Sequence, residues 1–260
     1  LIGTIYPIFL DVISSQKISV GPPFYHKLII PFLIPFLIMM AIGPKLKWIK
    51  SQLEDKIYLI SFLIISILLA FLVLKNFNQN ILINTILISS ALYLFFITLR
   101  DFFVKKYKNI SQNIAHFGFS LLILSILFNN LFASEIITNL KVGETFENSK
   151  TKIVFESVDQ KKEKNYNAII ANFFISNSNG EKDIFSPELR IYNQPVIATS
   201  EADIKTTLMS DKFIVINLVQ NQDFFNVRYQ VKPFMLWIWL SVILISVGGI
   251  VSFLKKKHEK

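Results

Sequence analysis

The sequence predicts an α-helical integral membrane protein of about five transmembrane helices, with a small β-rich extracytoplasmic domain inserted before the last of them. Three observations carry this prediction. Five stretches are apolar for roughly 20 residues, the length a helix needs to cross a hydrocarbon core about 30 Å thick. The clustered basic side chains flank those stretches on one side of the membrane only, if the spans simply alternate. Between the fourth and fifth stretches, residues 134–232 turn to short runs in which apolar and polar residues alternate, the pattern of strands with one buried face.

Residues 1–133 read as an outer N-terminal loop followed by four helices. No charged leader or small-residue cleavage site precedes the first apolar run, so a signal peptide is not indicated. A start at Leu1 is read as a fragment whose upstream helices lie elsewhere. Residues 1–27 are expected outside, with Gly21-Pro22-Pro23 as a turn before the first span. The four spans are placed at 28–44, 57–75, 81–99 and 111–133, and the last at 233–254, within a terminal segment 233–260. Pro31 and Pro35 interrupt the first span, which a membrane bundle tolerates because neighbouring helices satisfy the freed carbonyls. Trp237 and Trp239 sit where the last span begins, at the depth where indole rings favour the headgroup zone.

The formal charge of +9 would suit a nucleic-acid partner if it were spread over one face. It is not. Twelve of the 27 basic residues fall in three clusters: Lys45, Lys47, Lys50 and Lys56; Arg100, Lys105, Lys106 and Lys108; and Lys255, Lys256, Lys257 and Lys260. Residues 134–232 hold 12 basic and 13 acidic side chains and are near neutral. The charge therefore orients spans, with the clusters in the cytoplasm and 134–232 outside, and no nucleic acid is expected. There is no cysteine, which excludes a disulfide framework, a thiolate metal site and a cysteine nucleophile.

Within the outer domain, Phe225, Val227, Tyr229 and Val231 alternate with polar residues, and 213–219 form a second strand. Residues 168–176 and 182–192 flank Asn179-Gly180, a hairpin signal. Six to eight short strands are expected, as a small sandwich or barrel. Lys161-Lys162-Glu163-Lys164 reads as a solvated turn. Glu188, Arg190, Glu201, Asp203 and Asp211 are near one another in sequence and suit either an ion-pair network or a docking surface.

The spans carry one histidine that asks for an explanation. His258 lies in the Lys-rich tail and His26 at the membrane edge, where an interfacial structural role suffices. His116 lies inside the fourth span, about six residues or roughly 9 Å from its cytoplasmic end. Ionisable residues at such depth are costly and face the bundle interior. Gln112, Asn113, His116 and Ser120 are spaced to form one polar stripe. Two readings stand side by side: an interhelical hydrogen-bond cluster, or a metal or haem axial ligand. In the second, this chain supplies one axial ligand, and Gln112, Asn113 or a backbone carbonyl could accept from the other ring nitrogen. No Walker, HExxH or dinucleotide-binding pattern is present.

The residues in order resemble the C-terminal part of the cytochrome c-type biogenesis family CcmF, with its NrfE relatives. The resemblance begins at Gly3-Thr4-Ile5-Tyr6-Pro7 and continues through Ile18-Ser19-Val20-Gly21-Pro22-Pro23-Phe24-Tyr25 and Ile42-Gly43-Pro44. It includes Ala115-His116-Phe117-Gly118, which is similar to the family's Ala-His-Leu-Gly. It extends through Pro187-Glu188-Leu189-Arg190-Ile191-Tyr192, Ser200-Glu201-Ala202-Asp203-Ile204, Lys232-Pro233-Phe234, Trp237-Ile238-Trp239 and Gly248-Gly249. His26 departs from a usual Asn, and Leu189 and Phe117 replace other common residues. The family's tryptophan-rich haem-handling segment is not in this sequence, whose tryptophans are Trp48, Trp237 and Trp239.

The resemblance implies a component of a membrane haem lyase. The full protein would take haem from a haem chaperone at the outer face and promote its thioether attachment to the Cys-x-x-Cys-His motif of apocytochrome c. His116 would be one axial ligand to the iron of a resident haem b, which would reduce the incoming haem iron. The second ligand would come from the N-terminal half of the same protein. The outer domain would dock apocytochrome c or the maturation subunits that handle its thiols. The location implied is the bacterial inner membrane with the domain in the periplasm, or alternatively the mitochondrial inner membrane. This piece alone would not be a complete lyase. The competing reading is a non-catalytic scaffold in which His116 only packs helices. A transporter ranks last, since only the first span is interrupted by proline.

Overall fold

The computed structural model describes residues 2–14, 21–46, 56–77, 81–104, 109–177, 180, 182–219 and 223–258. It divides into two compact units, a helical one formed by Leu1–Leu124 with Leu240–Lys260, and one formed by Ser125–Trp239.

The helices are α1 (Ile2–Ser14), α2 (Pro22–Ile42, followed by a 3-10 turn Gly43–Lys45), α3 (Lys56–Leu74), α4 (Ile81–Phe103), α5 (Ile110–Phe132) and α6 (Met235–His258); the end of α5 from Ser125 and the start of α6 up to Trp239 belong to the second unit. Among the described residues five of these are long and apolar enough to cross a membrane, α2 through α6, close to the expected spans. A helix that is apolar all round has no favourable surface in water, and these bury little of that surface within the chain. The exception is α4, whose run from Leu87 to Leu94 is buried, because α2 and α3 both pack against it. Helix α2 continues through Pro31 and Pro35.

Two expectations at the N-terminal end are corrected. The segment expected to be a loop contains a helix, α1, and its Tyr6 ring stacks on Phe24 of α2 with centroids 5.5 Å apart. Gly21-Pro22-Pro23 is the start of α2: Gly21 caps it, and the prolines occupy its first positions, where a missing N–H costs no helical hydrogen bond. The turn reading failed because Pro-Pro is equally suited to a helix N-terminus.

In the second unit, ten strands can be described, more than the six to eight expected: β1 (Ser134–Leu140), β2 (Thr145–Glu147), β3 (Thr151–Lys162), β4 (Tyr166–Asn177), β5 (Lys182–Phe185), β6 (Glu188–Tyr192), β7 (Ala198–Glu201), β8 (Asp203–Thr206), β9 (Ser210–Leu218) and β10 (Phe225–Pro233). The surplus comes from three- and four-residue strands, too short to show a period. One sheet has the order β1-β10-β9-β8, and the other β2-β3-β4-β6-β7 with β5 beside β4. The core holds Phe155, Phe173, Phe185, Ile214, Ile216 and Val227, all fully buried, with the Phe155 and Phe173 rings stacked at 4.5 Å. Val227 and Tyr229 point inward as their alternation requires. The hairpin between β4 and β5 is present with Gly180 at φ +80°, a left-handed conformation that costs glycine little; Ser178, Asn179 and Glu181 lie outside the described residues. The expected strand 182–192 is broken at Ser186-Pro187, since proline has no N–H for the ladder. Lys161 and Lys162 belong to β3, and only the residues after them turn.

Strands β1 and β10, which leave and rejoin the long helices, pair antiparallel from Ser134↔Val231 to Leu140↔Phe225. At the same end Asn129 donates from Nδ2 to the Pro233 carbonyl at 2.6 Å. Phe234, the joint between β10 and α6, has φ 62°, which disfavours a residue with a Cβ by roughly 1–2 kcal/mol. Its N–H donates to the Met209 carbonyl at 2.8 Å and its ring packs on Phe128, which offsets that cost.

Candidate functional site

Helix α5 presents three different faces around His116. Ser111, Ala115 and Gly118 point at α6: a Cβ on Gly248 would lie 2.8 Å from the Ala115 nitrogen and 2.9 Å from the Ser111 carbonyl oxygen, and one on Gly118 would lie 3.0 Å from the Ile245 nitrogen. Small residues at this crossing let two backbones approach, the usual basis of packing between membrane helices. Asn113 and Phe117 face α4: Asn113 Nδ2 donates to the Asp101 carbonyl at 3.3 Å, and the Phe117 ring lies 5.2 Å from Phe95. Phe119 faces α2, with its ring 5.8 Å from that of Phe36. The helical period places His116 between Asn113 and Phe119, on the side of α5 that looks toward α2 and α4. Its ring is half-buried.

Beside this face lies a pair of charges that the sequence reading passed over. Lys45 Nζ reaches both carboxylate oxygens of Asp101, at 2.6 and 2.7 Å, and the two side chains are 3% and 7% exposed. Lys45 belongs to the first of the basic clusters by which the sequence orients the spans, and its side chain is buried against Asp101. A signal was available. Asp101 is the one acidic residue in the five spans, and a carboxylate there needs a cation. Arg100, the neighbouring cation, turns to α3, with its guanidinium 3.6 Å from the centre of the Tyr58 ring. Of the basic clusters, Lys47, Lys50, Lys105, Lys106, Lys108 and Lys260 lie outside the described residues.

The polar stripe is present, but its members are engaged with one another less than expected. Gln112 Oε1 accepts from Asn109 at 3.3 Å, and Ser120 Oγ donates to its own helix at the Phe117 carbonyl. Neither bonds His116. The ring is near enough to Asp101 and Lys45 to feel both charges, yet among the described residues it makes no hydrogen bond. A half-exposed imidazole with both nitrogens uncommitted fits an axial ligand. Among the described residues no three His, Cys, Asp or Glu side chains could together hold a metal ion. His26 cannot join His116: it precedes Lys45 by 19 positions on α2, about 28 Å along a helix axis, at the opposite end of the span. His26 is exposed, and the side chain of His258 lies outside the described residues.

The acidic and basic residues singled out in the β domain do not form one network. Glu188 pairs with Arg190 at 2.8 Å, and Arg190 lies 5.1 Å above the Tyr166 ring. Glu201 stands directly across from Glu188 on β7 and accepts from Thr199 at 3.3 Å. Asp203 and Asp211 lie in the other sheet, where Asp203 accepts from the Ser186 N–H at 2.7 Å. The Glu188 bond raises the pKa of the Arg190 guanidinium above its ordinary range.

Comparison with known proteins is consistent along the chain. Residues 131–233 match the family model described as the CcmF C-terminal beta-sandwich. Cytochrome c-type biogenesis protein CcmF of Pseudomonas fluorescens is 25% identical over all of this chain and 41% of its own length. CcmF of Escherichia coli K12 is 21% identical over all of this chain and 42% of its own length, and NrfE of Haemophilus influenzae is 25% identical with the same coverage. A solved structure of "Cytochrome c Heme Lyase CcmF" superposes with a TM-score of 0.71 at 18% identity, covering 96% of this chain and 42% of that one, and so shares its fold. The chain spans about two-fifths of the length of the curated relatives it matches.

Proposed function

We propose that the chain belongs to the CcmF family of cytochrome c-type biogenesis proteins and acts as the C-terminal part of a membrane haem lyase component, a reading supported by the match of residues 131–233 and the likeness to CcmF along the whole chain. In this reading it takes part in covalent haem attachment to apocytochrome c, and His116 is one axial ligand of a resident haem b. The observation that carries the reading is His116 itself, the histidine within a span, aimed between α2 and α4 with no hydrogen bond among the described residues. When bound, the haem would supply a one-electron reductant for the iron of the incoming haem. The chain's own residues hold and orient. The close α5–α6 crossing fixes the rotation of α5, Asn113 ties it to the Asp101 carbonyl, and the Lys45–Asp101 pair neutralises charge beside the ring.

The N-terminal part present in the longer relatives would provide the second ligand and the surface that receives haem from its chaperone. The outer domain would face the periplasm of a bacterial inner membrane, where it meets apocytochrome c and the subunits that handle its thiols. The α5–α6 packing also favours the scaffold reading, because a helix bundle can be held by those contacts alone. The test is His116→Ala in the assembled protein. Loss of the six-coordinate haem b spectrum and of cytochrome c maturation, with the protein still in the membrane, supports the ligand role. An unchanged spectrum with normal maturation supports the scaffold.

A further inference from the structure

The turn between β8 and β9, Thr207-Leu208-Met209-Ser210, combines two exposed apolar side chains, which water does not favour, with two carbonyls that are both hydrogen-bonded. Leu208 is 69% and Met209 64% exposed, and no charged residue lies in the four. The turn is closed internally: the Thr207 N–H donates to the Ser210 carbonyl at 3.0 Å, and the Ser210 N–H to Thr207 Oγ1 at 3.1 Å. Both tip carbonyls are also taken. The Leu208 carbonyl accepts from Trp237 Nε1 at 2.9 Å, and the Met209 carbonyl from the Phe234 N–H at 2.8 Å. A loop in water has no need to cover its carbonyls, whereas one in contact with lipid must, since nothing in the hydrocarbon can replace the lost hydrogen bonds.

The partners of those carbonyls set the depth. Phe234 immediately precedes α6 and Trp237 lies in its first turn, where that span begins; Leu236 and Trp239 of the same turns are also exposed. An indole at a span end marks the headgroup–acyl boundary. We propose that Leu208 and Met209 form a membrane-dipping tip, inserted between the lipids of the outer leaflet at the level of Trp237. The tip gives the β domain a second attachment to the bilayer surface beyond its two covalent connections. The occupant of the apolar surface is lipid, because the tip is hydrogen-bonded to the beginning of a span and the carbonyls of both exposed residues are paired.

The test uses single cysteines in this cysteine-free chain, present in membranes together with the upstream part that its longer relatives carry. Leu208→Cys is labelled with an environment-sensitive fluorophore, and the vesicle lipids carry bromine near the headgroup end of the acyl chain. Val142→Cys is the matched control: it is apolar and 52% exposed, but it lies beyond the far end of β1, more than about 20 Å up the strands. A blue-shifted emission at 208, quenched several-fold more by brominated lipid than at 142, bears the proposal out. Water-like emission at 208 overturns it. So does a blue shift without quenching, which would mean that protein covers the tip. Should Leu208→Cys fail to accumulate, Met209→Cys gives the same reading from the neighbouring exposed side chain.

Discussion

Lys45 Nζ grips both carboxylate oxygens of Asp101, 56 positions away in the chain, and the two side chains are almost wholly buried. Breaking such a pair on one side leaves a charge with neither water nor a partner, at a cost of about 3–5 kcal/mol, whereas replacing both by apolar residues is near neutral. Lys45→Met and Asp101→Leu should each lower the unfolding temperature in detergent markedly, and the double variant should recover most of the loss. Singles no worse than the double would show that the pair is hydrated.

Gly248 and Gly249 are neighbours with opposite tolerances. A Cβ at 248 meets the backbone of Ala115 and Ser111 within 2.9 Å, and backbone cannot rotate away. At 249 nothing lies within 4 Å. Gly248→Ala should destabilise the bundle by about 1–3 kcal/mol through overpacking. Gly249→Ala should gain up to about 1 kcal/mol of helix propensity. If His116 holds haem, Gly248→Ala should also shift its spectrum, since the clash lies one residue from the ligand, and Gly249→Ala should not.

His116→Gly leaves space where the ring stood. In the assembled protein, added imidazole should restore part of the six-coordinate haem signal that His116→Gly loses. The absence of rescue, together with an intact spectrum before imidazole, would remove His116 from the ligand set.

The strands of 134–232 enclose their own core, so this segment expressed alone should give a β-type circular dichroism spectrum and melt cooperatively. Phe155→Ala should cost it about 3–5 kcal/mol. Acid should weaken it in a defined direction. Hydrogen bonds from Gln230 and then Arg228 hold the Glu135 carboxyl below its ordinary value. A depressed carboxylate contributes stability above its unfolded pKa and loses it as pH falls through the folded one. The melting temperature should therefore drop as pH goes below about 4.5, and Glu135→Gln should flatten that drop. An identical acid profile in the variant would assign the loss to other groups.

Orientation is open to labelling from outside. Lys182→Cys, on an exposed strand end, should react with an impermeant maleimide in intact spheroplasts, and Lys106→Cys should not. The reverse result would invert the assignment of sides.

Much of this architecture was legible because the signals were long. Spans of about twenty mostly apolar residues and the alternation from Phe225 to Val231 can be read without tertiary context. What was missed depended on contacts between distant residues or on very short elements. Lys45 looks like any basic residue at a span end until Asp101 is placed beside it. The strand Thr145–Glu147 has three residues and no period to read. Gly-Pro-Pro suits a turn and a helix start equally, and only the unbroken helix that follows, Pro22–Ile42, decides. At the candidate site, sequence singled out His116 and its stripe, but not that Asn113 would be spent on the Asp101 carbonyl.

The pairing of β1 with β10 means that the domain's two connections leave from adjacent strands of a single ribbon. Strands β2 to β9 hang from that ribbon and do not set the spacing of the two chain ends. Changes in the loops of the other sheet, β2 to β7, are thus absorbed without altering where the chain departs and returns, whereas the β8–β9 turn is tied to that point through Met209 and Phe234. The ribbon, the Asn129–Pro233 hydrogen bond at its base and the Met209–Phe234 bond beside it are therefore where a single change would move both connections at once.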